Sequence, residues 1–239
     1  MVVSTRVSIQ WPPEQPQELT STLALTTPGN NYVDIRVFKT KYPYTTTTTT
    51  STNENFTEVF ELALAGTEVP LDQGRIKFDN SISSMALEES IATGNPIVID
   101  SDIGMFSAHG EDRKETGEMK NGKGVVAPYI EIWRSLDPLK HTPSQEVREG
   151  EEGEVPAFAL ELVGGLGKLV RVGNWIQGIV QEERTIHVVR SWFDEEKGGW
   201  KNLIEFGKLD IFPIEFSGAL DDVVSRSDGW QWKCIEKNY

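Results

Sequence analysis

Apolar and polar residues alternate along most of this chain, the rhythm of half-buried strands rather than of helices. Leu19, Ser21, Leu23 and Leu25 interleave with Thr20, Thr22, Ala24 and Thr26 before Pro28-Gly29-Asn30-Asn31. Gly and Asn tolerate positive φ, so this junction predicts a hairpin into the strand Tyr32-Val33-Asp34-Ile35-Arg36-Val37-Phe38. Further strands are predicted near 56–65, 75–82, 96–101 and 125–135. In the second half they fall near 157–163, 168–181, 185–193, 201–206 and 230–235. Only Ser84 to Ala92 has helical character, with Ser84 as candidate N-cap and Gly94 just past the end. Many short strands between turn signals predict an all-β fold of the barrel or sandwich kind.

Two segments break the pattern. Thr45 to Thr50, continued by Ser51 and Thr52, offers no apolar face and predicts a mobile Thr-rich loop over 44–55. Residues 138–156 hold Pro138, Pro143 and Glu149-Gly150-Glu151-Glu152-Gly153-Glu154, an acidic Pro/Gly-rich linker. That divides the chain into an N-terminal barrel domain (1–137), the linker, and a C-terminal barrel domain (157–239). Gly124-Val125 to Trp133-Arg134 closes the first half much as Gly229-Trp230-Gln231-Trp232-Lys233 closes the second, which hints at duplication. The second half is short for eight strands, so a partial barrel leaning on the first is also expected.

Composition narrows the function. With 37 acidic against 23 basic residues the net charge is −14, a field that repels nucleic-acid phosphates and anionic lipid. The single Cys234 excludes an internal disulfide and points to a reducing compartment, so Asn55-Phe56-Thr57 is not expected to be glycosylated. No apolar run is long enough for a membrane helix, and the N-terminus lacks the core of a secretory signal.

No catalytic constellation stands out. His109 and His141 lie in a charged loop and in the linker; only His187 falls on a strand, and no G-x-S-x-G turn occurs. Cys234 sits on an alternating strand as a buried, inert thiol. Metal sites are not expected, because the Cys and His residues are few and scattered. Asp100-Ser101-Asp102-Ile103-Gly104 resembles the start of a calcium loop, but Met105, Phe106 and Ala108 do not continue it. Gly164-Gly165-Leu166-Gly167-Lys168 lacks phosphate-loop spacing and reads as a hairpin. No cofactor is implied.

Tryptophans supply the binding candidates. Gly173-Asn174-Trp175 matches the short G-x-W element of lipocalin barrels. Trp175 and Gln177 share one strand face, and Arg190 and Trp192 share a face of the next strand. Such a face suits a hollow interior that takes an anionic or amphipathic ligand, but the plainer reading is that Trp175 and Trp192 are ordinary core or rim residues and Arg190 is solvated. Ser51 and Thr57 lie close to Glu54, which makes them candidate phosphorylation sites.

Phe60-Glu61-Leu62-Ala63-Leu64-Ala65-Gly66-Thr67, Glu115-Thr116-Gly117, Ile130-Glu131-Ile132-Trp133 with Leu136-Asp137-Pro138, and Gly173-Asn174-Trp175-Ile176-Gln177-Gly178 follow in this order. On these segments the chain, from about Leu19 onward, resembles the fungal Hri family, named for interaction with a yeast casein kinase I. The Thr-rich tract and acidic linker look peculiar to this chain. The resemblance implies two successive lipocalin-like barrels, a cytoplasmic location extending to the nucleus, and casein kinase I as partner. It implies no activity and no catalytic residues. Three functions are therefore expected in order: a non-enzymatic interaction protein, a carrier of a small molecule in a barrel cavity, and a barrel enzyme without a recognisable motif.

Overall fold

The computed structural model of the protein describes residues 1–45, 55–121, 124–150 and 153–238. Eight antiparallel strands form a closed barrel: β1 (Val2–Gln10), β2 (Thr20–Thr26), β3 (Asn31–Phe38), β4 (Phe60–Pro70), β5 (Arg75–Ser83), β6 (Asp102–His109), β7 (Asp112–Lys120) and β8 (Val126–Leu136). Each strand pairs with the next, and β8 returns to β1. Two short helices interrupt it. α1 (Phe56–Val59) occupies the start of the stretch predicted as strand; there the Glu58 carboxylate accepts the Asn55 N–H. α2 (Ser84–Thr93) is the predicted helix, but its cap is Ser83, whose hydroxyl accepts from Ala86 N–H, and Gly94 ends it in the left-handed region at φ 73°.

The second unit is a seven-stranded antiparallel sheet: β9 (Ala157–Leu162), β10 (Leu166–Val172), β11 (Trp175–Glu182), β12 (Thr185–Asp194), β13 (Gly199–Phe206), β14 (Val223–Ser225) and β15 (Gln231–Asn238). Its order is β13-β12-β11-β10-β9-β15-β14, so the last long strand again returns to the first. It is not closed: β13 and β14 are its edges, because the chain between them, 207–222, folds over one face instead of pairing. The all-β expectation of two antiparallel units holds, with the second one open. The stretch 96–101 predicted as strand has none; pairing begins at Asp102.

Alternation assigns the faces. Leu23, Leu25, Val33, Ile35 and Val37 point out of the barrel and pack with Val170, Val172, Trp175, Ile179, Val188 and Ile204 of the second sheet in one continuous core. The opposite face of that sheet, with Phe158, Leu160, Ile176, Val180, Val189 and Trp232, is covered by Ile211, Phe212 and Phe216 from 207–222. Residues 137–150 fold back on the barrel, with Asp137 N–H bonded to Val147 C=O and Leu136 bridged to Arg148.

Candidate functional site

Because the apolar faces of β2 and β3 are turned outward, their other faces fill the barrel interior with polar groups. Tyr32, Asp34 and Arg36 alternate with Val33, Ile35 and Val37; on β8, Tyr129, Glu131 and Trp133 alternate with Ile130 and Ile132. The result is a hollow of about 620 Å³. Leu62, Leu64, Ile76, Phe78 and Phe106 form its apolar wall, and α2, Val98 and the ends of β7 and β8 surround its mouth.

An ion network closes the floor. Arg6 reaches Glu131 at 2.7 Å, Glu18 at 2.6 Å and Glu61 at 2.7 Å. Arg36 reaches the same Glu131 oxygen at 2.9 Å and Asp34 Oδ2 at 2.9 Å, and its guanidinium lies over the Trp133 ring. Burial works against the Arg36 charge, yet Asp34, Glu131 and Glu61 outweigh it and hold its pKa well above the ordinary guanidinium value. Asp34 goes the other way: burial lifts its pKa despite Arg36.

Above the floor, Tyr129 donates to Glu115 Oε1 at 2.7 Å. Burial, then the nearby charge of Glu131, push the Glu115 carboxyl up to about 8. Two glycines make room for this pair. A Cβ at Gly104 would stand 2.4 Å from Glu115 Oε1, and one at Gly117 would stand 2.9 Å from the Tyr129 ring. Glu68 accepts from Thr26 Oγ1 at 2.8 Å, and burial raises its pKa. Tyr32 donates to Asn80 Oδ1. Asp34 Oδ1 and Arg113 Nε, both buried atoms, have no hydrogen-bond partner among the described residues, although the other Arg113 nitrogens include one that bonds Ser4 Oγ at 2.9 Å. Trp133 Nε1, on another residue lining the hollow, is in the same state, although buried polar atoms are rarely left unbonded. Among the described residues no group of three or more His, Cys, Asp or Glu side chains is placed to hold a metal ion.

The family model described as Protein HRI1 matches residues 2–236. The chain belongs to the HRI1 family. A relative named Protein HRI1, from Kluyveromyces lactis, is 25% identical over 261 residues, an alignment covering 99% of this chain and 98% of the relative. The crystal structure of an uncharacterized protein from Saccharomyces cerevisiae aligns with a TM-score of 0.76 at 19% identity, covering 100% of this chain and 99% of that one. The HRI1-family fold is thus shared over the full length of both.

In this HRI1-family chain the binding residues expected from sequence come together, but at the seam between the two units and not around the hollow. Gln177 donates to Leu23 C=O at 2.8 Å and Val33 C=O at 3.0 Å. Arg190 donates to Gln177 Oε1 at 2.7 Å, to Ile35 C=O at 2.7 Å and to Ser21, and lies over the Tyr42 ring. Fully buried, Arg190 has its pKa lowered by desolvation and has no carboxylate partner among the described residues; backbone carbonyls of β2 and β3 serve instead. Trp175 stacks on His141 with centroids 5.0 Å apart and donates to His141 C=O, and Trp192 is half-buried against the shared core. The faces were as the alternation predicted; the surface against them is the outside of the barrel.

His187 is held by Glu182 and the Lys208 N–H, and Cys234 is buried with its thiol pKa raised by desolvation. His141, expected in a linker, is buried, and its pKa is lowered by desolvation. Thr57 is exposed in α1, whereas Ser51 lies outside the described residues. Asp100 and Asp102 line the mouth of the hollow.

Proposed function

We propose that this chain is a non-enzymatic binding protein whose N-terminal barrel carries a small amphipathic molecule. One observation supports this above others. A barrel of eight strands has just enough room for its own side chains or for one small ligand, and this one is left with about 620 Å³. That falls in the range of roughly 300–1,000 Å³ typical of small-molecule pockets. Walls of Leu, Ile and Phe above a charged floor suit a molecule with one apolar and one polar end. Native mass spectrometry of the chain purified from a eukaryotic host is expected to show a bound small molecule. Leu64→Trp, which fills the hollow, should remove it. A folded wild-type protein that shows no adduct, and binds no amphiphile added afterwards, would end the proposal.

Association with a protein kinase, casein kinase I in the resemblance described above, is a second proposal. Its support is the exposure of Thr57 in the first turn of α1, beside Glu58. Retention of the kinase from a fungal lysate, lost with Thr57→Ala, is the expected result. A cytoplasmic setting is proposed for both readings, from the single buried thiol. Among the described residues no helix is long and apolar enough to cross a membrane.

A further inference from the structure

We propose that the ligand of the barrel is an organic cation with an apolar body, such as an alkylammonium, whose positive end sits at Asp34 Oδ1. This rests on the carrier reading and adds the sign of the charge, which is opposite to the anionic ligand that Arg190 suggested. Eight of the side chains lining the hollow are carboxyl groups, of which Glu115 keeps its proton at neutral pH, and three are cations. Two of those cations are already matched: Arg36 by Asp34 Oδ2 and Glu131, and Lys120 by Glu89 at 2.7 Å across the mouth. Of the three, Arg113 has no carboxylate at hydrogen-bond distance among the described residues.

Asp34 is 5% exposed, and among the described residues its Oδ1 is a buried acceptor without a donor on the lining of the hollow. The charges of Asp34, Glu68 and Asp102 all act on the Tyr32 hydroxyl, opposed by that of Arg36, so three carboxylates share one side of the cavity with a single guanidinium. Their mutual repulsion, together with burial, is relieved by a positive group among them. A bare metal ion suits this arrangement poorly, since the acids are spread over β3, β4 and β6 and not gathered into one coordination shell. Apolar residues beside them supply the surface for a hydrocarbon body: Leu64 is the cross-strand neighbour of Asp34, Phe78 that of Glu68 and Asp102, and Phe106 packs on Phe78. Arg113 Nε is left to meet one acceptor on the same molecule, for example a hydroxyl.

The test is calorimetric titration of the full chain, in neutral buffer, with three probes of equal length: decylammonium, decanol and decanoate. Decylammonium is expected to bind at least about tenfold tighter than decanol, with decanoate weakest, the size of one charge-assisted contact in a desolvated site. Asp34→Asn should bring the amine and the alcohol to within about threefold of each other, because the charged acceptor is gone while the wall remains. Glu68→Gln, which leaves the floor network intact, should narrow the gap in the same direction and serves if Asp34→Asn does not fold. Decanoate binding as tightly as the amine, or amine and alcohol binding equally to wild type, would overturn the charge assignment and leave the carrier reading standing. Binding of none of the three would remove the carrier reading itself.

Discussion

The two units of this protein share one plan and differ in what fills them. Each is an antiparallel meander whose last strand returns to its first, β8 to β1 and β15 to β9. The first closes over a hollow. In the second, 207–222 leaves the sheet and lays Ile211, Phe212 and Phe216 on its outer face, where Phe212 meets Trp232 at 5.9 Å and Phe216 meets Phe158 at 5.3 Å. Even the sheet is shaped for this plug, since a Cβ at Gly178 would stand 2.9 Å from the Phe212 ring. A meander of this kind is therefore solid or empty according to whether the chain supplies its own filler. The first unit keeps polar residues inside beside its apolar wall, and among the described residues no segment fills it.

The most severe way to probe that contrast is to truncate the filler and the wall separately. Phe212→Ala opens a void in a close-packed layer and is expected to cost about 3–5 kcal/mol, by urea unfolding. Leu64→Ala, which only enlarges a hollow already present, is expected to cost about 1–2 kcal/mol. Equal losses at the two sites would mean that the barrel interior is as tightly filled as the plugged face.

Next in size is the seam that joins the units. Arg190→Met strands Gln177 Oε1 and the carbonyl of Ile35 without donors, at a cost of about 2–4 kcal/mol in the same assay. Gln177→Leu in the same chain should then add less than it does alone, because the two side chains share a bond. Full additivity would show that they act independently.

Much of the first unit was legible because its strands alternate. β2, β3, β5 and β8 were predicted close to their observed bounds. β7 was not: Asp112-Arg113-Lys114-Glu115-Thr116-Gly117-Glu118-Met119-Lys120 is polar on both faces, one turned to water and the other to a polar cavity. Periodicity of hydrophobicity says nothing when neither face is apolar. The candidate site failed for a related reason. Alternation placed Trp175 with Gln177 and Arg190 with Trp192, but no local pattern tells whether a face meets a ligand or another sheet. The signal that did mark the hollow was Tyr32, Asp34 and Arg36 set against Val33, Ile35 and Val37. There the apolar set is the outside, and only the packing of a second unit against it makes that arrangement stable.

The charged interior also predicts a pH response. Glu115 has its folded-state pKa raised from 4.5 to about 8, so the folded protein binds a proton that the unfolded chain has released over that interval. Stability must therefore fall as pH rises from about 4.5 to about 8 and level off above it. Glu115→Gln keeps a neutral hydrogen-bonding group and should flatten this part of the slope in thermal melts. Asp34, Glu68 and Asp102 are shifted in the same direction, so the difference between variant and wild type is the informative quantity. An unchanged slope would place the Glu115 proton elsewhere.

The smallest expected effect concerns how firmly the hollow unit is tied to the solid one. Glu236 on β15 accepts from the Gly29 N–H at 2.6 Å, from Asn31 Nδ2 at 2.8 Å and from Thr27 Oγ1, and so clasps the β2–β3 turn to the second sheet. It is half-buried, and a carboxylate receiving three donors loses only part of its bonding when made an amide. Glu236→Gln should therefore cost about 1 kcal/mol. Hydrogen exchange at Gly29 and Asn31 should rise while exchange in β7, on the far side of the barrel, stays the same. If β7 exchange rose too, the clasp would be holding the hollow barrel closed as well as docked, and cavity and seam would be one cooperative unit rather than two.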